Sequence, residues 1–222
     1  MGKREGLDLV AGIVYINLEH RTDRRERLCQ ELKRLHLSYP EMIRIPAFHT
    51  PLNGRKGCIL SHIAGLEMAE EKGWEHVLIL EDDCQFSASP QKIREGMKGF
   101  QDILQGEWDV FFLGGQFLES RPVSSQLLHI TKSHRAHAYI VNRPYYSVLK
   151  ACYLSAYKNL EKDIFVVQSS GKALDVAWND LQKKGRWYGM RESIAEQRES
   201  FSDIVHRPVY RKEENFNASE PF

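Results

Sequence analysis

Hydrophobic positions along the chain alternate between short apolar runs and helical stripes. Gly12-Ile13-Val14-Tyr15-Ile16-Asn17-Leu18 is rich in β-branched and aromatic residues and predicts a first strand. The charged segment after it turns helical. Asp23 and Glu26 have capping-box spacing, and Leu28, Leu32 and Leu35 repeat at i, i+4, i+7 to give one buried stripe. Met42-Ile43-Arg44-Ile45 predicts a second short strand stopped by Pro46. Residues 50–56, with Pro51, Asn53 and Gly54, read as a loop. A second helix begins near Gly57, buries Ile59, Ile63 and Leu66, and ends at Gly73. Val77-Leu78-Ile79-Leu80 then shows no alternation, as expected of a strand covered on both faces.

Residues 90–104 predict a helix weakened by Gly96 and Gly99. Val110-Phe111-Phe112-Leu113 is a further strand, finished by Gly114-Gly115, where a bare backbone turns sharply or approaches a ligand closely. Residues 119–135 read as a polar excursion and Ala138-Tyr139-Ile140-Val141 as the next strand; Pro144 sits at the first turn of a helix. Leu174, Trp178 and Leu181 mark one more amphipathic helix. Strands alternating with helices imply a single α/β domain, residues 1–206, with a mostly parallel central sheet flanked by helices. Residues 207–222 are charged and patternless, the pattern of a mobile tail.

Composition narrows the function classes. With 31 Lys+Arg against 30 Asp+Glu in 222 residues, there is no general polyanion surface, so nucleic acid is not the expected partner. No apolar run approaches the roughly 20 residues of a membrane span, and Met1-Gly2-Lys3-Arg4 opens no signal-peptide core. The expectation is a soluble cytoplasmic protein, with peripheral membrane association left open. Cys29, Cys58, Cys84 and Cys152 have no paired metal spacing and read as reduced thiols.

The apolar run at Val77 ends abruptly in Glu81-Asp82-Asp83. Adjacent carboxylates at a strand end repel one another and raise each other's pKa, which a divalent cation such as Mg²⁺ or Mn²⁺ would relieve. In open α/β sheets ligands bind at the carboxyl ends of strands, so these acids face the expected crevice. Asn17, Arg21, Arg24 and Arg25 follow the first strand at the same edge, and a guanidinium fork suits phosphate oxygens. Ser61 and His62 are polar positions near the start of an apolar helix. Asp175 and Asp180 lie off the Leu174–Trp178–Leu181 stripe, and either carboxylate, placed beside an acceptor hydroxyl, has the chemistry of a general base.

In order along the chain, Tyr15-Ile16-Asn17-Leu18 with Arg21, Arg24 and Arg25, Ile45-Pro46-Ala47, Gly57-Cys58-Ile59-Leu60-Ser61-His62, Leu78-Ile79-Leu80-Glu81-Asp82-Asp83, Trp108-Asp109-Val110, Ala138-Tyr139-Ile140-Val141 and, more loosely, Asp175 and the segment from Gln197 to Ile204 resemble family 25 glycosyltransferases. That family includes bacterial lipooligosaccharide galactosyltransferases and is related to collagen galactosyltransferases. The resemblance implies a GT-A-like domain and a UDP-sugar donor bound through a divalent metal, usually Mn²⁺. By position, it implies that Asn17, Arg21 and Arg24 hold the nucleotide, with Ser61 nearby, and that Ala47 lines the base pocket. It implies metal coordination by Asp83, with Glu81 and Asp82 on the metal, ribose or donor sugar and His206 as a late ligand. An inverting transfer of galactose or glucose to a glycan or glycoconjugate hydroxyl follows, with Asp175 as base and Asp180 as its competitor. Two other readings use the same carboxylates: a sugar-nucleotide hydrolase or nucleotidyltransferase, and a catalytically silent UDP-sugar-binding module.

Overall fold

The β-branched run at Gly12–Asn17 forms a strand buried at every position, because helices cover both of its faces. The computed structural model describes residues 4–86, 89–162, 173–204 and 207–209. In chain order the elements are β1 (Gly12–Asn17), α1 (Thr22–Arg34), β2 (Glu41–Pro46), α2 (Gly54–Glu71), β3 (His76–Glu81), β4 (Cys84–Phe86), α3 (Pro90–Gly96), α4 (Lys98–Ile103), β5 (Val110–Phe112), β6 (Gln116–Pro122) and β7 (Leu127–His134). They continue with β8 (Ala138–Asn142), α5 (Tyr146–Lys162), α6 (Leu174–Ala177), α7 (Asn179–Lys184), β9 (Trp187–Met190), β10 (Ala195–Gln197), β11 (Ser200–Ser202) and β12 (Arg207–Val209).

An eight-stranded sheet in the order β2-β1-β3-β8-β5-β9-β7-β6 organises the chain. Strands β1, β2, β3, β5, β6 and β9 point one way, and β7 and β8 the other. Parallel direction therefore prevails, yet β8 lies reversed between β3 and β5. Strands β7 and β8 run in the same direction and are joined by residues 135–137 alone, so the chain passes from the hairpin edge to the middle of the sheet without reversing. Alternate residues divide between two cores. Val14, Ile16, Val77 and Ile79 join Leu66, Leu149 and Tyr153 on one face; Ile13, Tyr15, Leu78 and Leu80 join Leu28, Leu32 and Phe100 on the other. Each such aliphatic side chain, fully buried, contributes about 1.5–3 kcal/mol.

Several expectations shift in detail. Helix α1 starts without the Asp23 cap: Arg21 holds the N-cap position, and its carbonyl accepts both the Arg25 N–H at 3.1 Å and the Asn17 side-chain amide at 3.0 Å. Anchoring the chain there leaves Asp23 inside the first turn, where it binds the Arg21 guanidinium. Helix α2 begins at Gly54, inside the expected loop, because Thr50 Oγ1 accepts the Gly57 N–H at 2.9 Å and donates to Asn53 O at 2.7 Å. Glycine is required at position 57, where a Cβ would lie 2.1 Å from Phe48 O. The far end of α2 closes as expected at Gly73, whose φ of +66° lets Trp74 N–H reach Ala69 O and Gly73 N–H reach Glu70 O.

Residues 90–104 form two short helices broken at Met97, and the Leu174–Leu181 pattern likewise breaks at Trp178. The polar excursion is the β6–β7 hairpin at the sheet edge. Gly114 approaches protein backbone, since a Cβ there would sit 1.8 Å from Ala195 O. In the charged C-terminal stretch Arg207–Val209 pairs with Ser200–Ser202; residues 210–222 lie outside the described part of the chain.

Candidate functional site

The period-two alternation of β3 separates the acidic trio at its end. Glu81 continues the face of Val77 and Ile79 and turns toward α2, where His62 Nε2 lies 3.1 Å from its Oε1. Asp82 turns toward α1, where it accepts from Asn17 Nδ2 at 2.7 Å and Arg24 Nη1 at 2.9 Å. Asp83 meets β10, because pairing of β4 with β10 delivers Gln197, whose Nε2 donates to Asp83 Oδ2 at 2.8 Å. The other oxygen, Asp83 Oδ1, is withdrawn from solvent and has no hydrogen-bond partner.

Charge follows from this arrangement. Burial and the neighbouring Glu81 push the Asp83 carboxyl up to about 7, with Gln197 and Arg24 opposing. Burial also raises Asp82, held back by Arg24 and Asn17. For Glu81 burial again acts upward, but the bond from His62 and the positive fields of His62, His137 and Arg24 outweigh it and leave the group below its ordinary value. An unpartnered buried carboxylate oxygen beside a second carboxylate fits a hard divalent cation, which takes oxygen ligands.

Around the trio, Asn17 is fully buried and central: its Oδ1 accepts from Arg44 Nε at 3.2 Å, and its backbone carbonyl accepts the Ala47 N–H at 3.0 Å. Arg24 is thus committed to Asp82, and Arg21 to Asp23 and Asp203. Arg25 bonds the Tyr15 phenol. Ala47 is half-buried at the end of β2. Ser61 Oγ accepts from Phe48 N at 2.9 Å and donates to Gly57 O at 2.7 Å, so the hydroxyl fastens the loop after β2 to α2. Ser61→Ala is expected to leave the Phe48 N–H without its acceptor, costing about 0.5–1.5 kcal/mol in urea unfolding and loosening the wall that contains Ala47.

Asp175 and Asp180 separate clearly. Asp175 Oδ2 accepts the Arg135 N–H at 2.7 Å, and its charge, with those of Glu81 and Asp83, bears on the Cys58 thiol, so it lies on the α2 side of the site. Asp180 is 89% exposed and paired with Lys183. His206 lies outside the described residues.

Several participants carry no site role in the sequence reading, although Tyr139, Gln197 and Cys58 lie within its motif segments. Tyr139 OH lies 2.8 Å from His62 Nδ1 and 3.1 Å from Tyr153 OH, extending the Glu81–His62 contact into the core. Gln197 arrives on a three-residue strand with no hydrophobic signature. Gln182, wholly buried in α7, bonds Ser133 through both amide atoms and so holds the α6–α7 segment against β7. Cys58 lies in the Gly57–His62 motif and shares its helix face with His62 at i, i+4.

No protein-family model matches the chain. Procollagen galactosyltransferase 1-B of Xenopus laevis is 28% identical over 126 residues, which are 46% of this chain and 21% of that protein. Procollagen galactosyltransferase 1 of Danio rerio is 27% identical over 138 residues, 51% of this chain and 23% of the relative. The human inactive glycosyltransferase 25 family member 3 is 27% identical over 126 residues, covering 46% and 21%. The chain is family 25 glycosyltransferase-like. That family 25 likeness spans about half of the chain and about a fifth of each curated relative. Among solved structures, a glycosyltransferase involved in glycosylation of the major capsid of PBCV-1 matches at a TM-score of 0.45 and 10% identity, covering 81% of this chain and 91% of that one. The A197 protein from STIV matches at a TM-score of 0.42 and 13% identity, covering 90% and 94%. No helix among the described residues is long and apolar enough to cross a membrane.

Proposed function

We propose that the protein is a GT-A-like, metal-dependent, inverting glycosyltransferase that moves a hexose, galactose or glucose, from a UDP-sugar to a hydroxyl of a glycan or glycoconjugate. The observation that carries this reading is the buried Asp83 Oδ1, unpartnered beside Glu81 at the carboxyl edge of β3. Asp83 and Glu81 would hold the cation, Mn²⁺ or Mg²⁺. When bound, it supplies electrostatic stabilisation of a diphosphate leaving group. Asp82 acts one step back: held by Asn17 and Arg24, it fixes the crevice edge between β1 and β3. Ala47 and the Phe48 backbone, fastened by Ser61, form the wall assigned to the nucleoside. Asp175 is the carboxylate assigned to take the proton of the attacking hydroxyl, which moves from the acceptor oxygen to a carboxylate oxygen as the new glycosidic bond forms and the bond to UDP breaks. The likeness to procollagen galactosyltransferases supports galactose as the first donor to try.

The test is UDP release from a panel of UDP-sugars with Mn²⁺, with and without glycan acceptors. Release that requires both metal and acceptor is expected. Acceptor-independent release alone would assign hydrolysis, and UDP binding without release would assign a silent binding module.

A further inference from the structure

We propose that Cys58, His62 and Glu81 form a binding site for a thiophilic divalent cation of the Zn²⁺ class, distinct in its ligand set from the hard-cation position at Asp83. Cys58 Sγ, a ring nitrogen of His62 and a Glu81 carboxylate oxygen all lie within 4.8 Å of one another. Helical spacing produces this: residues 58 and 62 of α2 are one turn apart on the same face, and β3 ends with Glu81 directly against it. Tetrahedral Zn²⁺ with one sulfur, one nitrogen and one oxygen ligand needs ligand separations of about 3.3–3.6 Å, from bonds near 2.3 Å to sulfur and 2.0–2.2 Å to nitrogen and oxygen. The His62 Nε2 to Glu81 Oε1 distance is 3.1 Å, and with all three ligand atoms within 4.8 Å of one another a cation would draw the Cys58 sulfur inward by up to about 1 Å.

Support behind the ligands is also in place. His62 is fully buried, and its Nδ1 is held 2.8 Å from the Tyr139 hydroxyl, which in turn meets Tyr153. Without a cation Nε2 is bonded to Glu81; on metal entry the Nε2 proton would leave, and with Nδ1–H donating to Tyr139 the freed lone pair would take the cation, the outer-partner arrangement that orients metal-bound histidines. Burial and the fields of Glu81, Asp175 and Asp83 keep the Cys58 thiol protonated without a cation, so metal entry would release that proton. A thiolate and an imidazole favour Zn²⁺ or Co²⁺ over Mn²⁺ or Mg²⁺. Three protein ligands leave a fourth position for water or substrate. Because Glu81 is common to both positions, a cation on Cys58 and His62 would also neutralise the charge that repels Asp83. The site would exist whether or not the protein transfers sugar.

Reduced, metal-stripped protein titrated with Co²⁺ alone is expected to bind one ion per chain, with a sulfur-to-cobalt charge-transfer band and the strong visible bands of tetrahedral cobalt, both lost on adding Zn²⁺. Cys58→Ser should abolish the charge-transfer band with the far-ultraviolet dichroism unchanged, and His62→Gln should weaken Co²⁺ binding at least about tenfold. Asp83→Asn should keep the band, which separates this site from the donor-metal position. No band in the wild type, or a band that survives Cys58→Ser, overturns the proposal. Should Cys58→Ser fail to fold, zinc-edge absorption on the wild type decides: a sulfur neighbour supports the site, and oxygen and nitrogen neighbours alone overturn it.

Discussion

Asp83→Asn is expected to abolish Mn²⁺-dependent UDP binding and sugar transfer while leaving the metal-free protein as stable as the wild type or more so. An amide at this position still accepts from Gln197 Nε2 through its oxygen, but its NH₂ group would occupy the place of the orphaned Oδ1 and cannot ligate a cation. Losing a carboxylate ligand should weaken metal-dependent UDP binding at least about 100-fold, the upper end of what loss of an outer partner costs. Stability moves the other way because the mutation removes a charge repelled by Glu81. The sign against pH is specific. An acid whose folded pKa is raised to about 7 favours its protonated form in the native state, so metal-free wild-type protein loses stability as pH rises from the ordinary carboxylate range toward about 7. Asp83→Asn lacks that contribution. Urea unfolding in chelator at about pH 5 and pH 8 should show a smaller loss across the interval for the variant, and Mn²⁺ with UDP should restore stability at the higher pH only in the wild type. Undiminished Mn²⁺-dependent UDP binding by Asp83→Asn would remove Asp83 from the cation site.

The central sheet was legible in the sequence where burial imposes a clean period. Leu28, Leu32 and Leu35 of the first helix are all buried, and the Val77–Leu80 run is covered on both faces. The edge hairpin was not legible: β7 buries Leu127, Ile130 and Ser133, every third residue, and β6 slips register near Glu119, so neither strand shows alternation. Trp187–Met190 was missed for a different cause, being four residues long with Gly189 inside it. At the site, the acids and the residues on β1 and α1 could be found because motif and strand edge coincide. Their separation onto different partners could not, since Asp83 depends on Gln197, 114 positions away, and Glu81 on a histidine whose residue type alone reads as an ordinary core polar group.

Asp175→Asn should retain UDP and metal binding yet lose sugar transfer by about 10²–10⁴-fold, the usual contribution of a positioned proton acceptor. The substitution isolates charge from structure. Arg135 is held at φ +73°, a left-handed conformation uncommon for a side-chain-bearing residue, and its N–H is bound by Asp175 Oδ2 at 2.7 Å. An asparagine oxygen accepts the same bond, so the turn between β7 and β8 keeps its shape, but an amide does not take up a proton at neutral pH. The helix beneath is fixed independently: Trp178 is fully buried, donates through Nε1 to Ser133 O at 3.2 Å, and packs against Phe112, Tyr139 and Trp187. Asp175→Ala removes the acceptor as well as the charge, and should add a stability loss of about 1–3 kcal/mol that Asp175→Asn does not show. Transfer rates set beside UDP affinity by calorimetry, with urea unfolding of both variants, separate the two effects. Asp180 provides the contrast, because its carboxylate stands in solvent beside Lys183 and has no route to the crevice without rearrangement of α7. Full transfer by Asp175→Asn together with loss in Asp180→Asn would move the base to Asp180 and require α7 to reorient when donor and acceptor bind.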